Sequence, residues 1–348
     1  MKFLLISPVY RYLRALRRLS PSAQRVVSAV TGVESPLFLY SALIDRSQKR
    51  FIPAAREKFL RPFRQHTLPL TDGTHGVRLH GFFDFARSAK NVIYYSDDEQ
   101  FSVALLTEQI MLTRELAKIS GVDDTVYPSL FTIHLGDRLR RERREALTLV
   151  SRVLRQVLPL AAEQRVIISL ENMWNFRSDC YELGSDLENF AEIFESLGDQ
   201  PHLGMTFDFA HALIHYRGKT AVVSALLEKH HLLKKIYHFH FTAPAANYLR
   251  LAERMLPSEH LTFIRLITTL LFRNPDNQGG LRAFFNSRPE VKETYLAWVR
   301  QIVADSAAAT PPYNCGTLEL GVHFPLTRLG ASVGDVEYSL NTVQDICH

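Results

Sequence analysis

A chain of 348 residues with a formal net charge of +5 and 46% apolar residues suits one large domain or two small ones, with a true core. The charge excess permits an anionic substrate without requiring one. Cys180, Cys315 and Cys347 form no CxxC pair, which argues against a disulfide framework and a thiolate zinc site and for a reducing cytoplasm. No run of about 18 apolar residues occurs, so no membrane span is expected. The first apolar stretch stops at Pro8 and is followed by Arg11, Arg14, Arg17, Arg18 and Arg25, the wrong order for a secretory signal.

In chain order, MKFLLISPV predicts a strand, and Tyr10 to Leu19 a basic helix with Leu13, Leu16 and Leu19 at helical spacing. Residues 37–60 read as helical, with Ala54 to Phe63 an amphipathic segment. VRLHGFF and NVIYYS predict two short strands. Phe101, Ala104, Leu105, Leu112, Leu116 and Ile119 predict a helix with one buried face. LFTIHLGD is the next strand, Arg138 to Leu160 a long helix, and RVIISLE a continuous apolar run, which is how a buried parallel strand reads. A helix over Asp186 to Leu197, with Ser185 or Asp186 as its cap, precedes the strand HLGMTFD. A helix over Thr220 to His230 then precedes IYHFHF, and GTLELG follows much later. This strand–helix alternation predicts a parallel sheet.

The strand ends carry metal-competent side chains at a steady interval. His134, Glu171 and Asp208 stand 37 residues apart, and His240 follows 32 later. One unit of a (β/α)8 barrel is about that long, since roughly 250 residues make eight units. The expected fold is therefore a (β/α)8 TIM barrel over residues 1–348, with helical elaborations at the N-terminus and after strand 7. The step from His240 to Glu319 is 79 residues, which places an insertion at about 244–310. It leaves the strand bearing His240, so it emerges at the catalytic face. Its apolar stretch Leu261 to Phe272 must pack on the rim, on a second chain as in a homo-oligomer, or on substrate, and the expectation is a helical lid. Carboxylates gathered at one barrel mouth repel one another unless a divalent cation sits among them. Oxygen and nitrogen ligands without sulfur suit Mn, Mg, Co, Fe or Zn. His238, two residues before His240, faces the same way and is either a partner that fixes the ligand's tautomer or a core residue. Trp174, just after Glu171, either stacks on a sugar ring or packs.

The ordered set HLGD, LEN, FDFAH, HFHF and LELG resembles the xylose-isomerase-like TIM barrels, a superfamily of sugar and sugar-phosphate isomerases and epimerases that also includes endonuclease IV. The resemblance covers about residues 131–322. It implies that Glu171, Asp208, His240 and Glu319 are the metal ligands. By the same resemblance His211 touches substrate in epimerases and metal in endonuclease IV, and His134 matches a metal ligand of endonuclease IV. The three-metal site of endonuclease IV also needs a histidine near the third strand, which NVIYYSDDE lacks, and an Asp-x-His pair after the seventh, which is missing between His240 and Glu319. Nucleic acid is therefore not the expected partner. The arginine that epimerases carry after the seventh-strand histidine is matched here only by the more distant Arg250.

The expected function is that of a cytoplasmic, metal-dependent isomerase or epimerase of a small polyhydroxy substrate. Glu171 and Glu319 would exchange a proton next to a carbonyl, with the cation stabilising the enediolate. An endonuclease IV-like phosphodiester hydrolase and a non-catalytic ligand-binding barrel are the rival readings.

Overall fold

The computed structural model describes residues 2–6, 21, 32–36, 44–45, 48, 50–65, 76–80, 99–120, 129–138, 142–174, 181–241, 280–309, 315–318 and 333–347. The predicted helix over Tyr10–Leu19, the strand NVIYYS, the stretch Leu261–Phe272, Arg250 and Glu319 lie outside the described residues.

Eight parallel strands close into a barrel. They are β1 (Lys2–Ile6) and β2 (Gly32–Pro36), then, after the short antiparallel pair β3 (Ile44–Asp45) and β4 (Arg50–Phe51), β5 (Gly76–His80). Next come β6 (Ser129–His134), β8 (Val166–Glu171), β10 (Leu203–Asp208), β11 (Ile236–Phe241) and β12 (Cys315–Leu318), and β12 pairs back onto β1. A second short pair joins β7 (Asp137–Arg138) to β9 (Tyr181–Glu182). The connecting helices are α1 (Pro53–Gln65), α2 (Glu99–Ser120), α3 (Arg143–Glu163), α4 (Leu187–Leu197), α5 (Phe209–His215), α6 (Thr220–Lys229), α7 (Gly280–Ser287), α8 (Lys292–Ala309) and α9 (Val333–Cys347). Along α3 the buried residues Leu147, Val150, Leu154, Val157 and Ala161 recur at three- and four-residue steps and form its inner stripe. Among the described residues no helix is long and apolar enough to cross a membrane.

Three boundaries differ from the sequence expectation. The chain over 44–51 is a strand pair rather than helix, because the Asp45 carboxylate accepts from the Gln48 N–H at 3.1 Å and turns the backbone. The helix begins at Pro53, where the missing N–H costs nothing. Helix α3 starts at Arg143 instead of Arg138, because Asp137 and Arg138 are engaged in the ladder with Tyr181 and Glu182. The third barrel strand is β5, which ends at His80.

Within the expected insertion, residues 242–279 lie outside the described residues, and α8 is the outer helix of the unit that β11 begins. It is fixed by aromatic packing: Trp298 stands edge-on to Phe209, centroids 5.3 Å apart.

The barrel interior is layered. Leu130, Ile167 and Tyr237, each the second residue of its strand, form a small apolar cluster at the N-terminal end. The ring of Tyr237 lies where a side chain on Gly204 would be, since a Cβ there would come within 2.3 Å of it. Tyr237 also sits at the one irregularity between β10 and β11, where the register moves from Met205↔Ile236 to Thr206↔His238. Above this floor the Thr206 hydroxyl meets those of Ser169 at 2.6 Å and Thr132 at 3.1 Å. The third layer, at the C-terminal ends of the strands, is ionisable.

Candidate metal centre

Each side chain of the ionisable layer is placed by strand alternation. His134 follows Thr132 by two residues, Glu171 follows Ser169, and Asp208 follows Thr206, so each points into the same interior as the hydroxyl below it. Glu171 and Asp208 are fully buried, as are His238 and His240, while His134 and His211 keep 6% and 4% exposure.

Glu171 is the hub. Its Oε2 lies 2.9 Å from His134 Nε2, and its Oε1 lies 2.9 Å from His240 Nδ1 and 3.4 Å from His211 Nδ1. Asp208 approaches from the next strand, 3.9 Å from His240 Nδ1. One donor atom each of Glu171, Asp208 and His211 lies within 4.8 Å of the others. The structure thus brings together five of the residues singled out in the sequence: Glu171, Asp208, His240, His211 and His134.

Asp208 is held in place by its surroundings. It is the N-cap of α5, and its Oδ1 accepts from the His211 N–H at 2.7 Å. The Asn172 side chain brackets its backbone, donating to the Asp208 carbonyl at 2.9 Å and accepting from the Asp208 N–H at 2.7 Å. The Asn172 carbonyl lies 2.8 Å from His211 Nδ1, which places a proton on that nitrogen, because a carbonyl can only accept. The pair Glu171–Asn172 therefore supplies one side chain to the site and one that fixes its neighbour.

A group that the sequence reading missed completes the layer. Glu34, in the middle of β2, is fully buried. Its Oε2 lies 3.0 Å from His238 Nε2 and 3.3 Å from His240 Nε2. His238, expected either to fix the ligand's tautomer or to fill the core, shares this carboxylate with His240, and the two rings stand nearly perpendicular with centroids 5.2 Å apart. A rhythm of strands ending in polar residues does not reveal Glu34, because it stands mid-strand in GVESP. The usable signal is a lone carboxylate beside valine, bracketed by Gly32 and Pro36.

The electrostatics follow from the geometry. Burial would raise the Glu171 carboxyl, but the charges and hydrogen bonds of His240 and His134 outweigh it and hold the group well below the usual carboxylate range. Glu34 is opposed by burial in the same way and is likewise held low by His240 and His238. Both therefore stay anionic. Tyr295 of α8 is buried, and burial, then the Asp208 charge, push its hydroxyl up, so it remains protonated. Trp174 is buried just beyond β8, 5% exposed.

A buried set of two carboxylates and two or three imidazoles, with donor atoms this close, fits a hard or borderline divalent cation.

The sequence profile described as xylose isomerase-like TIM barrel matches residues 31–266. No curated protein matches the chain significantly. Among solved structures, the crystal structure of AsfvAP:AG superposes with a TM-score of 0.56 at 13% identity, covering 100% of this chain and 99% of that one. The IOLI protein with a bound zinc atom gives 0.52 at 14% identity, with 100% and 98% covered. A sugar phosphate isomerase/epimerase from Parabacteroides distasonis gives 0.50 at 11% identity, with 99% and 93% covered. At these identities the likeness is one of fold.

Proposed function

The chain belongs to the xylose isomerase-like TIM barrel family, and from that premise we propose that it is a metal-dependent isomerase or epimerase of a small sugar-like or polyhydroxy substrate. The observation that carries this reading is the buried convergence of Glu171, Asp208, His211 and His240 at the C-terminal end of the barrel, where such enzymes work. Glu171, Asp208 and His240, joined by Glu319 after β12, would hold a divalent cation: Mn, Mg, Co, Fe or Zn. When bound, the cation polarises a carbonyl and stabilises the negative charge that develops beside it.

The chain's own residues do the rest. Glu171, kept anionic by its imidazole partners, takes or returns a proton at the carbon next to the carbonyl, and Glu319 serves the opposite side. His211, with its Nδ1 proton committed to the Asn172 carbonyl, turns Nε2 to a substrate hydroxyl as an acceptor. Within the expected insertion over 244–310, α8 is the unit's outer helix, and the remainder would serve as a lid that restricts the pocket to small molecules. A zinc atom in the IOLI structure and the isomerase/epimerase identity of the Parabacteroides protein are in keeping with this assignment.

One observation favours a second reading. The third barrel strand ends in a histidine, His80, and His134 bonds to Glu171. This removes one of the two reasons for setting aside an endonuclease IV-like hydrolase; the missing Asp-x-His pair remains. Cation count separates the two: one ion per chain for the isomerase, two or three for the hydrolase. The direct test is proton exchange. Metal-loaded protein, incubated with a panel of ketoses, aldoses and their phosphates in D2O, should place deuterium at the carbon next to the carbonyl, and Glu171→Gln should stop it. Absence of exchange, together with metal-dependent incision of abasic duplex that Glu171→Gln abolishes, would establish the hydrolase instead.

A further inference from the structure

Glu34 has no task in the chemistry above, yet it is a fully buried carboxylate at the centre of the ionisable layer. Strands β2 and β11 are not neighbours; β1 and β12 lie between them, so the bonds from Glu34 to His238 and His240 cross the barrel interior. A neutral imidazole has one N–H and one lone pair, and a carboxylate can only accept. Both nitrogens of His240 face carboxylates, Nε2 at 3.3 Å from Glu34 and Nδ1 at 2.9 Å from Glu171, so each carboxylate draws a proton to its own side of the ring. A cation held by Glu171 and Asp208, 2.9 and 3.9 Å from Nδ1, would replace the Nδ1 proton and take that lone pair, while Glu34 keeps the proton on Nε2. We propose that Glu34 is a positioning residue that fixes His240 in the Nε2–H tautomer, so that Nδ1 faces the cation. His238, bonded to the same oxygen at 3.0 Å, keeps that carboxylate aimed.

Glu34, His238 and His240 also have donor atoms within 4.8 Å of one another, and could be taken for a cation site themselves. His240 decides between the two. Offering Nε2 to a cation there would leave an Nδ1 proton facing Glu171 and Asp208, so the ring serves one site or the other. The upper site has two carboxylates, and its neighbours His134 and His211 retain slight exposure; the lower trio is wholly buried. An ion enters from the mouth, so the upper site takes it. A carboxylate that orients a metal-bound histidine in this way contributes about 10–100-fold in metal affinity.

This inference rests on the proposal that His240 holds the cation, and the test separates the two. Co2+ titrations of the full-length wild type, Glu34→Gln and Glu171→Gln would be followed by calorimetry and visible absorption. An amide can donate as well as accept, so Glu34→Gln no longer dictates the tautomer. It should bind Co2+ about 10–100-fold more weakly, with an altered visible band, while Glu34→Asp shortens the reach and falls between. Nitrogen-15 spectra of histidine-labelled wild type loaded with Zn2+ need no variant to fold. They should show His240 coordinated through Nδ1 and protonated at Nε2. Coordination through Nε2, or a Glu34→Gln protein with unchanged affinity and spectrum, overturns the inference while leaving the metal site standing. Co2+ binding that survives in Glu171→Gln but is lost in Glu34→Gln puts the ion in the lower trio and also overturns it. A wild type that binds neither Co2+ nor Zn2+ overturns the parent reading, and this inference with it.

Discussion

The two ends of the barrel interior are built from the same strands and do opposite things. At the N-terminal end Leu130, Ile167 and Tyr237 exclude water and carry no charge. Four residues further along β6 and β8, and at the matching end of β10 and β11, His134, Glu171, Asp208 and His240 crowd ionisable groups into a space just as buried. The floor gains from every contact. The mouth holds like charges together, a cost that the imidazoles offset in part and a bound cation would offset further. Stability and chemistry are thus divided along the barrel axis, with the hydroxyls of Thr132, Ser169 and Thr206 between them.

If the division holds, variants at the two ends should fail in different assays. The largest effect is expected at the mouth. Glu171→Gln should lower proton-transfer activity by about 10²–10⁴-fold and abolish tight cation binding, while its urea midpoint moves less than that of any floor variant. Next comes the floor: Tyr237→Ala should cost about 3–5 kcal/mol in urea unfolding, with cation stoichiometry unchanged in the folded fraction. Gly204→Ala places a methyl against the Tyr237 ring and should cost about 1–3 kcal/mol, again sparing the cation. The smallest effect is expected in the middle layer. Thr206→Val removes the hydroxyl shared by Ser169 and Thr132 and should cost about 1 kcal/mol, with little change in either activity or affinity. A floor variant that loses the cation while still folded would erase the division.

How much of this the sequence reveals depends on where a residue stands in its strand. Glu171, Asp208 and His240 each end or nearly end an unbroken apolar run, so the run marks the strand and the polar residue marks the mouth. Glu34 stands mid-strand, and β2 has one large apolar residue, Val33, so neither signal exists. The 37-residue interval misleads upstream for a mechanical reason. Counting back from His134 lands on NVIYYSD, but residues 81–128 separate β5 from β6, and β3, β4 and α1 fill the path from β2 to β5. Loop length is set by what the rim needs and not by the barrel, so an interval found in one half does not extend to the other. Asn172 was visible beside Glu171, but its role was not. That it brackets the backbone of Asp208 follows only from the pairing of β8 with β10.

The bond between Glu34 and His238 has a consequence in time. It ties residues 204 positions apart in the chain, across the seam where the first strands meet the last. During synthesis Glu34 emerges early, His238 and His240 follow only when most of the polypeptide has left the ribosome, and β12 must then slot between β11 and β1 for the ring to close. Contacts of such sequence separation form late, because loop entropy must be overcome first. The four-residue set on β6, β8, β10 and β11 can gather sooner, since consecutive strands supply it. A nascent chain would therefore acquire its cation-binding carboxylates before the residue that aims His240, and would gain its final affinity only when the seam shuts.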